Sequence, residues 1–240
     1  MKKRNIMLFM LPAYTIVLGL CLLIGIAGSK AITAISDSTV FADRHTLIID
    51  AGHGGEDGGA TSCTGILESE YNLNIALRLD ALMNLLGVQT KMVRTTDISV
   101  YTSGNTISQK KISDLKERVR LVNSTDKALL VSIHQNYFSQ SQYSGAQVFY
   151  SENAISKEFA RNTQSLLINS LNPGSNRAAK KASGIYLMQK VTCPAILVEC
   201  GFISNPNETS LLGSSDYQKK LCCVLASAVI TQLDSMQSLS

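Results

Sequence analysis

Three short apolar runs constrain the fold of this 240-residue chain more than anything else in it: "LIID" (Leu47 to Asp50), "ALLVSI" (Ala128 to Ile133) and "AILVE" (Ala195 to Glu199). Continuous apolar runs of this length, without polar alternation, read as strands buried on both faces. Helical periodicity lies between and after them, over Tyr71 to Leu86, Ser113 to Val122 (with Ser113 as N-cap), Ser156 to Leu171 and roughly Asp216 to Leu233. Val88 to Val93 and Ala146 to Tyr150 add two further strand signals. This alternation predicts an α/β domain, with a twisted, mostly parallel or mixed sheet covered by helices on both faces. Two polar insertions, Ser99 to Lys111 and Asn172 to Ser183, break the pattern. In such folds the loops at the carboxyl ends of strands build the site.

The N-terminus has a different character. Lys2, Lys3 and Arg4 precede an uncharged, mostly apolar stretch from Asn5 to Ser29. It is long enough to span a bilayer, which takes about 20 residues, and it ends in "AGS", which resembles a signal-cleavage site. Residues 1–29 therefore read as a membrane anchor or a signal sequence, 30–45 as a polar linker and 46–240 as the folded α/β domain. Three basic residues before the span and only Lys30 just after it favour a cytoplasmic N-terminus. Either reading places the domain outside the cytoplasm. The formal charge is +4, but without Lys2, Lys3 and Arg4 the balance is 19 basic against 18 acidic residues. With no basic face and no Trp, a nucleic-acid partner is not expected. Five cysteines lie beyond the span, an odd number without any Cys-x-x-Cys, and are expected to be free, mostly buried thiols, with Cys222 and Cys223 as small apolar helix residues.

Chemistry concentrates at the strand ends. His53 follows "LIID", His134 follows "ALLVSI" and Glu199 closes "AILVE". A lone histidine at such a place would read as a hydrogen-bonded loop or core residue. With only three histidines in the chain, two of them delivered to one sheet edge suit a metal better. Catalytic zinc takes three protein ligands, and two histidines with one glutamate is a known set. Glu56, Glu68 and Glu70 are the local carboxylates. Ile75, Leu79, Leu82 and Leu86 form a helical stripe, and seven residues back from Ile75 lands on Glu68, whereas Glu70 points away. Glu68 could also serve only to favour the helix N-terminus. The glycines of "GHGGEDGGA" do not make a dinucleotide loop, because Asp57 occupies the third glycine position and would repel phosphate together with Glu56.

"IDAGHGGEDGGA", "GILESEYNL", "VSIHQN" and "AILVECGFISNPNE", taken in order, resemble the zinc-dependent N-acetylmuramoyl-L-alanine amidases of bacterial cell walls. The resemblance covers most of residues 45–235. It implies one zinc per chain held by His53, Glu68 and His134, with Glu199 as the catalytic acid/base. Lesser matches fall on Arg94, Asp97, Arg118, Asn123, Asn176, Arg177 and Lys180. Ala51 and Ser69 depart from the family, where proline and lysine are common, and neither is an implied ligand. No wall-binding repeat accompanies the motifs. With "VECGF", this makes the chain most similar to the germination-specific type of spore-formers, which implies action on spore-cortex peptidoglycan in the forespore envelope and a part in making muramic δ-lactam.

That chemistry would be hydrolysis of the amide joining muramic acid to L-alanine, by a zinc-activated water whose proton Glu199 carries to the leaving amine. Glu199 could instead pair with an arginine, and Cys63 or Cys200 could close the metal site and make it structural. Arg177, Lys180 and Lys181 could meet carboxylates of the stem peptide, or be merely solvated. Two other functions stay open. His53-Gly-Gly-Glu56 also fits a zinc carboxypeptidase that trims the stem peptide, and a membrane-anchored wall-binding protein would need no turnover. Peptidoglycan is the expected partner, and the sequence identifies no protein activator.

Overall fold

A computed structural model describes residues 45–152 and 154–238. The expected anchor or signal and nearly all of the linker lie outside the described residues. Within these, no helix is long and apolar enough to cross a membrane.

The three apolar runs form the centre of one sheet. They are β1 (Thr46–Ala51), β3 (Ala128–Asn136) and β6 (Ala195–Phe202), joined by β2 (Thr90–Met92), β4 (Gln147–Tyr150) and the short β5 (Lys180–Lys181). The order is β2-β1-β3-β6-β4-β5, with every neighbouring pair parallel except β4 against β6. The helices among the described residues are α1 (Glu68–Leu85), α2 (Ile107–Asn123), α3 (Ala154–Leu171), α4 (Tyr186–Lys190), α5 (Pro206–Gly213) and α6 (Ser215–Gln237). Alternate strand residues feed two separate cores, as the two-residue period requires. Leu47, Ile49, Leu129, Val131, Ile196 and Val198 pack with α1, α3 and α6, while Ile48, Leu130, Ala195 and Leu197 pack with α2 and α4. Helices on both faces explain why these strands are apolar throughout.

This topology positions the site. From β1 the chain passes through α1 to β2 on one side, whereas β3 lies on the other side of β1. The carboxyl ends of β1 and β3 therefore diverge into different loops, leaving the crevice in which open α/β sheets bind ligands.

Several local expectations need correction. Helix α2 starts at Ile107 rather than at Ser113, because Thr106, seven residues before Ser113, forms a capping box with Gln109. The Ser99–Lys111 insertion is thus helical at its end. On α1 the fully buried apolar residues are Ile75, Ala76, Leu79 and Met83, while Leu86 is 43% exposed. The helix stops at Leu85, and Leu86 already belongs to the turn. Helix α5 is a separate element that begins at the Asn205 cap with Pro206 in its first turn. All five cysteines of the domain are free, but only Cys200 and Cys222 are buried, and Cys223 faces solvent.

Candidate metal centre

Just past β1 the backbone leaves ordinary strand geometry. A Cβ on Gly52 would lie 2.2 Å from Nε2 of His134, so only glycine lets the two strand ends approach. His53 follows with φ of 59°, the left-handed region that non-glycine residues rarely occupy. Two buried arginines hold it there. Arg118 donates to the carbonyls of Ala51 (2.9 Å) and His53 (2.7 Å), and Arg94 to those of Ala51 (2.9 Å), Gly52 and Ser69. Arg118 in turn forms a buried ion pair with Asp50 and a second one with Asp114. Burial alone would raise the Asp50 carboxyl, but the Arg118 charge and the Ser132 hydroxyl outweigh it and hold it below the usual range.

Glu68 opens α1 and is 4% exposed, so the helical phase aims it inward as expected, whereas Glu70 is exposed. Its Oε2 lies 3.3 Å from Nε2 of His53, and its Oε1 lies 3.0 Å from Nδ1 of His134. Backbone N–H groups of Ala60 (3.1 Å) and Gln135 (3.2 Å) donate to the same carboxylate. One donor atom from each of His53, Glu68 and His134 lies within 4.8 Å of the others. Burial opposes charge on His53, yet hydrogen bonds to Asp57 and Glu68 raise its pKa to about 9. Burial likewise opposes charge on Glu68, and its two histidine partners reverse that, holding the carboxyl far below normal. A cluster that recruits positive charge this strongly is electrostatically suited to a cation. Two imidazoles and one carboxylate are a donor set for zinc, with room for a fourth ligand.

Asp57 completes this arrangement and was not singled out from the sequence. Its Oδ2 lies 2.9 Å from Nδ1 of His53, and Lys111 donates to its other oxygen at 3.1 Å. A carboxylate behind a metal-binding histidine fixes the ring and raises its basicity. The available signal was an acid four residues after His53, the same residue that excluded a phosphate loop.

Glu199 sits on β6 directly across from His134 on β3. Its Oε2 is shielded from solvent and has no hydrogen-bond partner. Burial, with the Glu68 charge adding to it and the two histidines opposing, pushes its pKa up to about 7. The expected alternative, an arginine partner for Glu199, is not found among the described residues: Arg118 is committed to Asp50 and Asp114. Nor does a cysteine reach the cluster. Cys200 packs into the opposite core, and the Cys63 thiol donates to Thr209. Glu56 is exposed and binds Lys110 at 2.7 Å, away from the histidines. Between the cluster and α4 lies a cavity of about 190 Å³, lined by His53, His134, Glu199, Arg118 and Tyr186 among others. Arg177 stacks on Phe202 and Lys180 lies on the edge strand β5; neither lines this cavity.

Comparison with known proteins identifies the family. The Amidase_3 family, N-acetylmuramoyl-L-alanine amidase, matches residues 47–231. The chain belongs to that family. The amidase is 37% identical over 186 residues to the germination-specific N-acetylmuramoyl-L-alanine amidase of Bacillus subtilis (strain 168), covering 77% of this chain and 78% of that one. The CwlD amidase from Clostridioides difficile, solved in complex with the GerS lipoprotein, superposes with a TM-score of 0.77 at 35% identity, over 80% of this chain and 100% of that one. An N-acetylmuramoyl-L-alanine amidase from Clostridium difficile 630 gives a TM-score of 0.70 at 30% identity, over 81% and 99% of the two chains.

Proposed function

We propose that the amidase holds one zinc ion through His53, Glu68 and His134 and hydrolyses the amide between N-acetylmuramic acid and L-alanine in spore-cortex peptidoglycan. The observation that carries this reading is the convergence of three ligand atoms within 4.8 Å, with an unpartnered carboxyl oxygen of Glu199 on the adjacent strand. Bound zinc would polarise the scissile carbonyl and acidify a water molecule. Glu199 takes the proton of the attacking water and returns it to the leaving nitrogen, and a pKa near 7 suits both transfers at neutral pH. Asp57 and the Arg118–Asp50 pair keep His53 oriented. The cavity beside α4 receives the substrate around the bond to be cut.

The spore role rests on similarity to the germination-specific relative, and it makes muramic δ-lactam formation and germination the process served. Residues 1–29 anchor or export the domain to the forespore envelope. A protein partner is in keeping with the complex that the Clostridioides difficile enzyme forms with GerS. The carboxypeptidase alternative needs Glu56 as a ligand, and its place on Lys110 speaks against it.

Digestion of purified cortex and vegetative wall tests the reading. The amidase should release whole stem peptides beginning with L-alanine. Chelation should stop release and added zinc restore it. Release of single D-amino acids would establish a carboxypeptidase, and wall binding without any product would establish a non-catalytic protein.

A further inference from the structure

Beyond its ligand His134, β3 runs into an eight-residue exposed loop, "YFSQSQYS" (Tyr137 to Ser144). Its aromatic rings stay in contact with solvent: Tyr137 is 53% exposed, Phe138 47% and Tyr143 41%. Two of them are nevertheless fixed. Phe138 meets Tyr143 edge-on at 4.9 Å, and Tyr143 stacks at 6.2 Å on Phe202, the buried last residue of β6. The Arg177 guanidinium covers the Phe202 ring at 4.9 Å. The backbone is pinned at both ends, by Ser204 accepting from the Phe138 N–H (3.1 Å) and by Glu208 accepting from the Gly145 N–H (2.9 Å). Asn205 also donates to the Tyr143 carbonyl at 3.2 Å. A pinned loop presents its rings with little ordering left to do on binding.

The chemistry of the loop selects its occupant. Between the rings it carries only Ser and Gln, and the cation beside it, Arg177, is turned onto the Phe202 face and the Ser144 carbonyl, to which it donates at 3.1 Å. That composition suits a neutral, polyhydroxylated ligand whose apolar ring faces stack on aromatics while its hydroxyls meet amides and hydroxyls. It suits neither an anionic membrane nor the carboxylates of a stem peptide. The place selects it too. Tyr137 is three residues past His134 and directly follows the end of β3, so the two backbones lie no more than about 11 Å apart. On the amidase reading, the muramic acid beside the scissile amide belongs to a sugar chain that has to continue from the site over a neighbouring surface.

We infer that Tyr137, Phe138 and Tyr143, rooted on Phe202, form a subsite for the glycan strand of the substrate, one or two sugars away from the bond that is cut. This rests on the proposed amidase activity. The test compares two substrates with the full-length enzyme: polymeric peptidoglycan, and a minimal muramoyl-peptide with a single sugar. For Phe138→Ala and Tyr143→Ala, the preference in kcat/KM for polymer over minimal substrate should fall about 3–10-fold each, the size expected for one lost ring contact. Phe138→Tyr, which keeps the ring, should retain the preference. Zinc content of each variant shows that the site is still assembled. An unchanged preference in both alanine variants would overturn the subsite and leave the shelf to a protein partner. Failure of the wild-type enzyme to release stem peptide from either substrate would instead defeat the amidase reading itself.

Discussion

Glu199 has a shielded oxygen without a partner, an uncommon state for a buried carboxyl and one compatible with proton transfer. Glu199→Gln keeps its shape but cannot accept a proton, so turnover should fall roughly 10²–10⁴-fold. Zinc content, measured on the same preparation, should stay near that of the wild type; loss of metal together with activity would make Glu199 a ligand. Asp50 has a structural part, since its buried pair with Arg118 supports the strained turn at His53. Asp50→Asn leaves Arg118 with a missing partner and should cost about 3–5 kcal/mol at pH 7, read from urea unfolding of the metal-free protein. The sign of the pH dependence follows from the depressed Asp50 carboxyl. Its contribution is present above the ordinary carboxylate value of 3.8 and is lost as pH falls through the lower folded value. The difference between wild type and Asp50→Asn should therefore shrink in strong acid.

Helix α2 shows how an element serves the site from a distance. Its capping box at Thr106 fixes the first turn, and that turn brings Lys110 to Glu56 and Lys111 to Asp57, the partner of His53. Thr106→Ala should cost about 0.5–2 kcal/mol. Hydrogen exchange should show the loss as faster exchange over residues 109–112, with β3 and β6 unchanged. The central strands and α1 were legible in the sequence because each is strongly patterned and buried. The inward phase of Glu68 was read from the stripe Ile75, Leu79, Leu82 and Leu86, and Ile75 and Leu79 carry it, since Leu82 is only partly buried and Leu86 lies outside the helix. The start of α2 was not legible from apolar periodicity, because its first turns are exposed and polar, with Ile107 at 71% exposure. There the cap carries the signal. The same holds for α5, whose Asn205-Pro206 start is local chemistry within a stretch that has no apolar pattern of its own. The two-residue strand β5 pairs at a sheet edge with exposed lysines, and nothing in its composition marks it.

At the scale of the whole molecule, one sheet edge gathers residues that lie 146 positions apart in the chain, from His53 to Glu199. The convergence was legible because three apolar strands ended on ionisable residues. The supporting contacts were not, because Asp57, Arg94 and Arg118 act through a backbone turn that no periodicity encodes. The proposed role of residues 1–29 as anchor or signal makes a prediction for the intact protein. It should fractionate with membrane and remain accessible to added protease, whereas a soluble form beginning at Lys30 would indicate signal cleavage. The central claim is that His53, Glu68 and His134 together hold the metal on which hydrolysis depends, and zinc analysis of two variants tests it most directly. Glu68→Ala should lose both zinc and wall hydrolysis, while Glu56→Ala, which removes only a surface partner of Lys110, should keep both. Zinc retained in Glu68→Ala and lost in Glu56→Ala would contradict the ligand set and the bond assigned to this enzyme.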